Sequence, residues 1–163
     1  MIREVRLSDA QALTDIYNYY ITDTVITFEE TTIEPSEMTT RIEKVLDDNL
    51  PWFVAEDEQG QVIGYAYAAK WHQRYSYRFA TEVTVYLHHN AQAKGYGSKL
   101  YQTLFEELKA RGIHTAISLI TLPNEPSVKL HEKFGFEKAA HFKEVGWKFE
   151  QWLDVGYWQG FLK

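Results

Sequence analysis

The spacing of apolar and polar positions along the chain predicts alternating helices and strands. Several segments place apolar residues every three to four positions, so each would present one apolar face as a helix. These faces comprise Leu13, Ile16, Tyr17 and Tyr20, then Met38, Ile42, Val45 and Leu46, then Leu100, Leu104, Phe105 and Leu108, and finally Leu130 and Phe134. Residues 8–11, Ser-Asp-Ala-Gln, predict a capping box that begins the first helix, and Pro35 can begin the second. Gly112 and Gly135 are predicted to end the last two helices.

Segments rich in Val, Ile, Tyr and Phe are predicted to form strands. In chain order they are residues 2–7, 52–56, 62–69, 79–87 and 116–121, followed after Phe136 by strands broken around Gly146. The turn at residues 57–60 predicts an antiparallel hairpin, whereas the later strand–helix–strand order is typical of parallel pairing. We therefore expect one domain over residues 1–163, with a mixed α/β sheet flanked by helices.

Composition and charge exclude several classes of function. Hydrophobic residues make up 45% of the 163 residues and charged residues 25%, which is enough for a packed core. The net charge of −6 argues against a nucleic-acid or anionic-membrane binder, and the lack of cysteine excludes a thiolate nucleophile or a Cys-ligated metal. No apolar run approaches the roughly 20 residues of a membrane span, and the N-terminus lacks a signal-peptide core. We expect a cytoplasmic protein.

The segment between the predicted strand 79–87 and the following helix has the features of an anion site. It consists of Gln92, Ala93, Lys94, Gly95, Tyr96, Gly97 and Ser98. A helix N-terminus presents unpaired backbone N–H groups and about half a positive charge, and glycines let a phosphate approach closely. A Walker loop would need Gly-Lys-Ser/Thr, and a dinucleotide fold would need glycine where Leu100 stands. A glycine-rich turn without a ligand is the remaining alternative.

Motifs in three parts of the chain resemble those of the GCN5-related N-acetyltransferases. They are Val85-Tyr86-Leu87, Gln92-x-x-Gly95-x-Gly97 and Asn124-x-x-Ser127-x-x-Leu130-His131-x-x-x-Gly135-Phe136. Further segments, over nearly the whole chain, are similar to the phosphinothricin N-acetyltransferase branch: Tyr17-Asn18, Thr27-Phe28-Glu29, Gly64-Tyr65-Ala66, Arg74-x-x-Tyr77, Glu82-Val83-Thr84-Val85-Tyr86 and Gly146-x-Lys148-Phe149-x-x-Trp152-x-Asp154-Val155. Glu150, Ala80 and residues 24–26 depart from the branch's usual pattern, and the last two departures could lie near the acceptor pocket, which leaves the precise acceptor open.

This resemblance implies a GNAT fold, acetyl-CoA as the donor and a homodimer. The sheet would be mostly antiparallel, with a V-shaped splay between two parallel strands at residues 84–87 and 116–120. Residues 92–98 would hold the pyrophosphate of the cofactor. Backbone groups of Val85, Tyr86 and Leu87 would pair with its pantetheine arm as an added strand does, and Asn124, Ser127 and His131 would also contact it. The acceptor would be a small amino-acid-like amine of the phosphinothricin, methionine sulfone or methionine sulfoximine type.

Two residues are candidates for proton transfer. The resemblance places Glu82 as the general base, while a strand glutamate of this kind could instead be an ion-pair partner. His131 stands where many relatives carry a tyrosine that protonates the leaving thiolate, and imidazole could do the same. Alternatively, His131 only packs against the cofactor, and Asn124 only caps the next helix.

The candidate acceptor contacts are Phe28, Glu29, Arg74, Tyr75 and Tyr77. Arg74 or Arg78 could bind a carboxylate or phosphinate through paired hydrogen bonds, or the residue could be a plain surface arginine. His88 and His89 would point to opposite faces of a strand, so they form a poor metal pair and no metal site is expected. Two other functions stay open: an acetyltransferase of protein N-termini or peptide amines, and a non-catalytic acetyl-CoA-binding module.

Overall fold

A computed structural model describes all residues from 1 to 163. The strands are β1 (Ile2–Glu4), β2 (Trp52–Glu56), β3 (Val62–Lys70), β4 (Ala80–Leu87), β5 (Thr115–Leu122), β6 (Glu137–Lys148) and β7 (Gln151–Phe161). The α-helices are α1 (Ala10–Asp23), α2 (Pro35–Asp47), α3 (Tyr96–Ala110) and α4 (Glu125–Lys133), with short 3-10 turns at Leu7–Asp9 and Tyr75–Tyr77.

The seven strands form one sheet in the order β1-β2-β3-β4-β5-β7-β6. All neighbours are antiparallel except β4 and β5, which are joined through α3 and run parallel. The expected mixed, mostly antiparallel sheet with one central parallel pair is therefore confirmed. A parallel connection needs a crossover long enough to hold a helix, and α3 supplies it.

The parallel pair separates soon after it begins. β4 and β5 are paired only at Ala80 with Thr115, Thr81 with Ala116 and Glu82 with Ile117. Beyond Glu82 the two strands diverge, while β4 stays paired with β3 up to Leu87. This is the splay implied by the resemblance, and it exposes one edge of β4 inside the sheet.

The two faces of the sheet carry different helices. On one face, Tyr86 of β4 packs against Tyr17 and Tyr20 of α1, at ring-centroid distances of 5.2 and 5.0 Å. On the other face, a side chain at Gly64 of β3 would meet Leu100 of α3. The apolar face of α3 is buried as predicted, at Leu100, Leu104, Phe105 and Leu108. The splay thus opens a passage between a face covered by α1 and a face covered by α3.

Two of the predicted helix details are wrong. The capping box at residues 8–11 does not form; instead the Asp9 carboxylate accepts the Arg6 backbone N–H at 2.7 Å and pairs with the Arg3 guanidinium at 2.8 and 2.9 Å. With Asp9 held by this ion pair, residues Leu7–Asp9 form a 3-10 turn directly before α1. Leu46 is also not part of the core, because its side chain is 45% exposed while Met38, Ile42 and Val45 are buried.

The break predicted at Gly146 is also wrong. β6 continues through Gly146, although its register with β7 shifts between Phe142 and Gly146. The chain reverses three residues later, at Phe149 and Glu150, whose φ angles are 52° and 58°. Two consecutive left-handed residues form the type of tight hairpin turn that glycine usually marks, and here no glycine signals it.

Candidate active site

Two adjoining cavities occupy the splay. The first, the Glu82 cavity, has a volume of about 230 Å³ and reaches Glu82, Tyr101, Ser118 and His131. The second, the loop cavity, measures about 350 Å³ and is bounded by the glycine loop and the start of α3. Both cavities share the wall formed by Ile26, Val85, Tyr86, Asn124 and Ser127. A ligand that lies along β4 can therefore extend from the glycine loop to Glu82.

Glu82 lies at the last paired position of β4 before the splay. Its partner across the sheet is Ile117 of β5, and its carboxylate forms no ion pair or hydrogen bond within the protein, so the reading as an ion-pair partner is not supported. Burial raises the pKa of the Glu82 carboxyl. A carboxylate with a raised pKa is a stronger proton acceptor than one in water, provided that it is ionised.

His131 is held in one tautomer by two hydrogen bonds. Its Nδ1 lies 2.7 Å from the backbone oxygen of Ser127, which can only accept, so Nδ1 carries the proton. Its Nε2 lies 2.9 Å from the hydroxyl of Tyr101 and must accept from it. Burial lowers the pKa of the imidazole, so the neutral form is favoured. Both ring nitrogens are occupied, so His131 presents no proton to the Glu82 cavity, and the single proton of the Tyr101 hydroxyl is directed at Nε2.

Sequence reasoning overlooked Tyr101 as a site residue. Tyr101 lies on the apolar face of α3 and is fully buried, so its spacing resembles that of any core residue. The signal that could have found it is the hydroxyl, because a buried tyrosine requires a polar partner. Ser118 was overlooked too, because it lies among the apolar residues of β5 and only its hydroxyl distinguishes it.

The glycine loop leads directly into α3. Gly95 is the residue before the helix and has a φ of 83°, a left-handed conformation that suits glycine. Gly97 is buried, and a side chain there would meet Leu130 and Leu87 at 3.4 and 3.7 Å. The predicted residues Gln92, Ala93, Gly95, Gly97 and Ser98 line the loop cavity, whereas Lys94 and Tyr96 do not.

Gln92 connects the loop to α1. Its side-chain amide donates to the Tyr20 hydroxyl at 3.0 Å, and that hydroxyl donates to the backbone oxygen of Leu87. Gln92 therefore fixes the position of the glycine loop relative to α1. The Leu87 oxygen has a protein partner already.

The hydrogen-bond pattern of β4 decides which backbone groups face the splay. The His88 N–H donates to Ile63 of β3, and the Ala80 oxygen accepts from Trp71, so even-numbered residues of β4 bond to β3. The odd-numbered residues face β5, where the Val83 N–H still takes part in the pairing of Glu82 with Ile117, so the C=O of Val83 and both backbone groups of Val85 point into the splay. The Tyr86 backbone groups face β3 in this pattern, so the structure does not offer them to pantetheine as the resemblance implied.

Asn124 and Ser127 lie where both cavities meet. The Asn124 side-chain oxygen accepts the Ser127 backbone N–H at 3.3 Å, so Asn124 caps α4. Its amide nitrogen is free to donate into the cavities. Asn124 thus combines the capping role with a position suited to cofactor contact.

The structure brings only one of the acceptor candidates to the cavity. Phe28 lines the Glu82 cavity and is 39% exposed. The Glu29 carboxylate instead forms a bidentate pair with Arg41 at 2.7 and 2.9 Å and accepts from Tyr17. The bonds from Arg41 lower the pKa of Glu29. Glu29 therefore fixes its segment to α2 and has no free oxygen directed at an acceptor.

The remaining acceptor candidates lie after β3 and outside both cavities. Arg74 precedes the 3-10 turn that contains Tyr75 and Tyr77, which are 77% and 45% exposed. Within one chain, none of the three reaches the cavity that contains Glu82. No group of three His, Cys, Asp or Glu side chains is arranged to hold a metal ion.

Comparison with known proteins identifies the family. The sequence model of the acetyltransferase (GNAT) domain matches residues 2–156. The chain belongs to this family. The phosphinothricin N-acetyltransferase of Streptomyces viridochromogenes is 40% identical to this GNAT protein over 158 residues, which cover 97% of this chain and 85% of that protein. The L-methionine sulfoximine/L-methionine sulfone acetyltransferase of Pseudomonas aeruginosa is 31% identical over 158 residues. The match covers 97% of this chain and 92% of that protein.

A solved structure supports the same assignment. The phosphinothricin acetyltransferase of the GNAT superfamily from Sinorhizobium meliloti, crystallised in complex with AcCoA, superposes with a TM-score of 0.97 at 35% identity. The match covers 99% of this chain and 88% of that chain. The GNAT protein described here is an acetyltransferase with acetyl-CoA as its donor. None of its helices is long and apolar enough to cross a bilayer.

Proposed function

We propose that the protein acetylates the α-amine of a small amino-acid-like acceptor of the phosphinothricin, methionine sulfone or methionine sulfoximine type. The observation that carries this proposal is the position of Glu82. Its half-buried, unpartnered carboxylate lies at the apex of the splay, where a cavity shaped for a small molecule joins the groove beside the glycine loop. The names of the two relatives above favour this acceptor class.

The residues of the splay fit acetyl-CoA. The α3 N-terminus offers backbone N–H groups behind Gly95 for a pyrophosphate. The C=O of Val83 and the N–H and C=O of Val85 suit the amides of a pantetheine arm, as in strand addition, and the Asn124 amide lies beside them. When bound, acetyl-CoA supplies an activated acetyl thioester.

Glu82 is the proton acceptor in this proposal. An α-amine has a pKa of about 8 and a lysine amine about 10.4, so deprotonation at pH 7.5 costs roughly 0.7 or 4 kcal/mol, respectively. The attacking nitrogen loses a proton as its bond to the thioester carbon forms, and the Glu82 carboxylate receives it directly or through water. An α-amine thus requires little assistance, and one carboxylate is enough.

Tyr101 is the proton donor in this proposal, and His131 is its positioning residue. As the C–S bond breaks, the Tyr101 O–H turns from Nε2 of His131 to the sulfur and transfers its proton there, and the phenolate left behind takes up a proton from solvent. Before that step, Nε2 of the Nδ1–H tautomer accepts a hydrogen bond from the Tyr101 hydroxyl and holds that hydroxyl in place beside the cavity. This assignment replaces the direct role of His131 that the sequence suggested.

We also infer a cytoplasmic homodimer of single-domain subunits. Large apolar side chains are exposed on the β6–β7 hairpin, at Phe142, Val145, Trp147, Phe149 and Trp152, each at least 50% exposed. A surface of this kind supports association with a second copy. Residues Arg74, Tyr75 and Tyr77 would then complete the acceptor site across the interface.

An acceptor panel tests the proposed function. Release of free CoA is measured with phosphinothricin, methionine sulfone, methionine sulfoximine, proteinogenic amino acids and short N-terminal peptides. Turnover of an amino-acid analogue with kcat/KM at least tenfold above every peptide is expected. Turnover of peptides alone would overturn the acceptor class, and the absence of turnover with all amines would overturn the proposal.

A further inference from the structure

The segment between α1 and α2 forms part of the Glu82 cavity without belonging to a helix or strand. Ile26, Thr27 and Phe28 from this segment line the cavity. On the α1 side, the Thr27 hydroxyl lies 2.8 Å from the Tyr17 hydroxyl. A wall without regular secondary structure depends on such side-chain contacts for its position.

Lys148 holds the same segment from the opposite direction. Its side chain extends from β6, is fully buried, and donates from Nζ to the backbone oxygen of Thr27 at 2.8 Å. This is its one hydrogen bond, and the ammonium takes part in none of the ion pairs. Burial lowers the pKa of Lys148, against the opposing effect of Glu30 and Glu29. Burying an ammonium costs several kcal/mol, so packing alone would be served better by an apolar side chain.

Gly146 makes a second contact from the same face of β6. Residues 146 and 148 are two positions apart on a strand, so they face the same side. The Phe28 ring lies directly over Gly146, and any Cβ at that position would overlap the ring. One face of β6 therefore fixes the Thr27 backbone through Lys148 and the Phe28 side chain through Gly146.

We propose that Lys148 is a positioning residue for the acceptor, which acts through Thr27 and Phe28. The inference rests on the proposed function, because it assumes that the Glu82 cavity receives the amine. Lys148 touches no reacting atom; it keeps the wall at the distance from Glu82 that directs an acceptor nitrogen toward the carboxylate. Thr27 and Phe28 line the Glu82 cavity alone, and Ile26 is the one residue of the segment that also lines the loop cavity, so the loss of Lys148 should disturb the acceptor far more than the donor.

The variant Lys148→Met tests the inference, with Lys143→Met as the matched control on an exposed position of β6. For Lys148→Met, the KM of the acceptor is expected to rise about tenfold or more, since small misplacements of a bound substrate are costly. The Kd of acetyl-CoA should stay within about twofold of the parent value. Lys143→Met should change neither. An unchanged acceptor KM, or an equal loss of acetyl-CoA affinity, would overturn the positioning role.

Gly146→Ala disturbs the same wall through the independent Phe28 contact, and acetyl-CoA binding verifies that each variant is folded. The acceptor KM should again rise, and the double variant should show less than the sum of the two effects. Hydrogen exchange of residues 24–34 is measured without any acceptor, and faster exchange confined to this segment is expected in both variants. Parent-like exchange in Lys148→Met overturns the inference alone, whereas an inactive parent enzyme overturns the proposed function alone.

Discussion

The hydroxyl of Tyr101 and Nε2 of His131 lie 2.9 Å apart, with the hydroxyl as the donor. His131 cannot donate at Nε2 because its single proton is held at Nδ1 by the Ser127 oxygen. Two residues from different helices, α3 and α4, thereby present one oriented hydroxyl at the apex of the splay. This relationship determines which variant should lose the proton donor.

Tyr101→Phe is expected to lower kcat about 100-fold, within the range for removal of a general acid. The KM of acetyl-CoA should change little, since the ring remains in place. Unfolding free energy should fall by about 1–3 kcal/mol because Nε2 of His131 loses its partner. Steady-state kinetics and thermal unfolding check both expectations. Tyr157→Phe on β7 is the control, and a kcat for Tyr101→Phe equal to that of this control would remove Tyr101 from the mechanism.

The pH profile should report the raised pKa of Glu82. Glu82 must be ionised to accept a proton, so kcat/KM should fall as pH decreases through a pKa above the usual glutamate range. Glu82→Gln should reduce kcat by about 100-fold near pH 6.5. The deficit should narrow toward pH 9, where an α-amine is already neutral. A variant as active as the parent enzyme at pH 6.5 would contradict the role of Glu82.

Gly95→Asp should weaken acetyl-CoA binding at least 100-fold, equivalent to about 2.7 kcal/mol or more. The carboxylate would stand beside the pyrophosphate, and the left-handed φ of 83° adds strain. Gly60→Asp separates the two effects, because Gly60 has a φ of 77°, open space around it and no contact with the splay. Calorimetric titration should find parent-like affinity in Gly60→Asp. Equal losses in both variants would show that strain, and not charge at the loop, is responsible.

Elements with a strong local pattern were predictable from sequence, and contacts between distant elements were not. The strand Trp52–Glu56 and the apolar face of α3 follow from periodicity, and the glycine loop follows from its place between β4 and α3. The sequence around Glu29 is equally compatible with a substrate contact, but in the structure Arg41 of α2 binds the Glu29 carboxylate. Tyr101 and Lys148 have roles that depend on His131 and Thr27, at sequence separations that no local pattern encodes.

Glu150 occupies a backbone conformation that glycine adopts at lower cost. Its φ is 58°, and it is the second of the two residues that reverse the chain between β6 and β7. A left-handed conformation costs an L-residue about 1–2 kcal/mol, and the extra freedom of glycine in the unfolded chain offsets about 0.5–1 kcal/mol of that. Glu150→Gly should therefore stabilise the protein by about 0.5–1 kcal/mol and raise Tm by roughly 1–4 °C. Gln151→Gly, one residue into β7, should destabilise it, and acetyl-CoA affinity should stay unchanged in both. A lower Tm for Glu150→Gly would show that the glutamate side chain contributes more than its backbone costs.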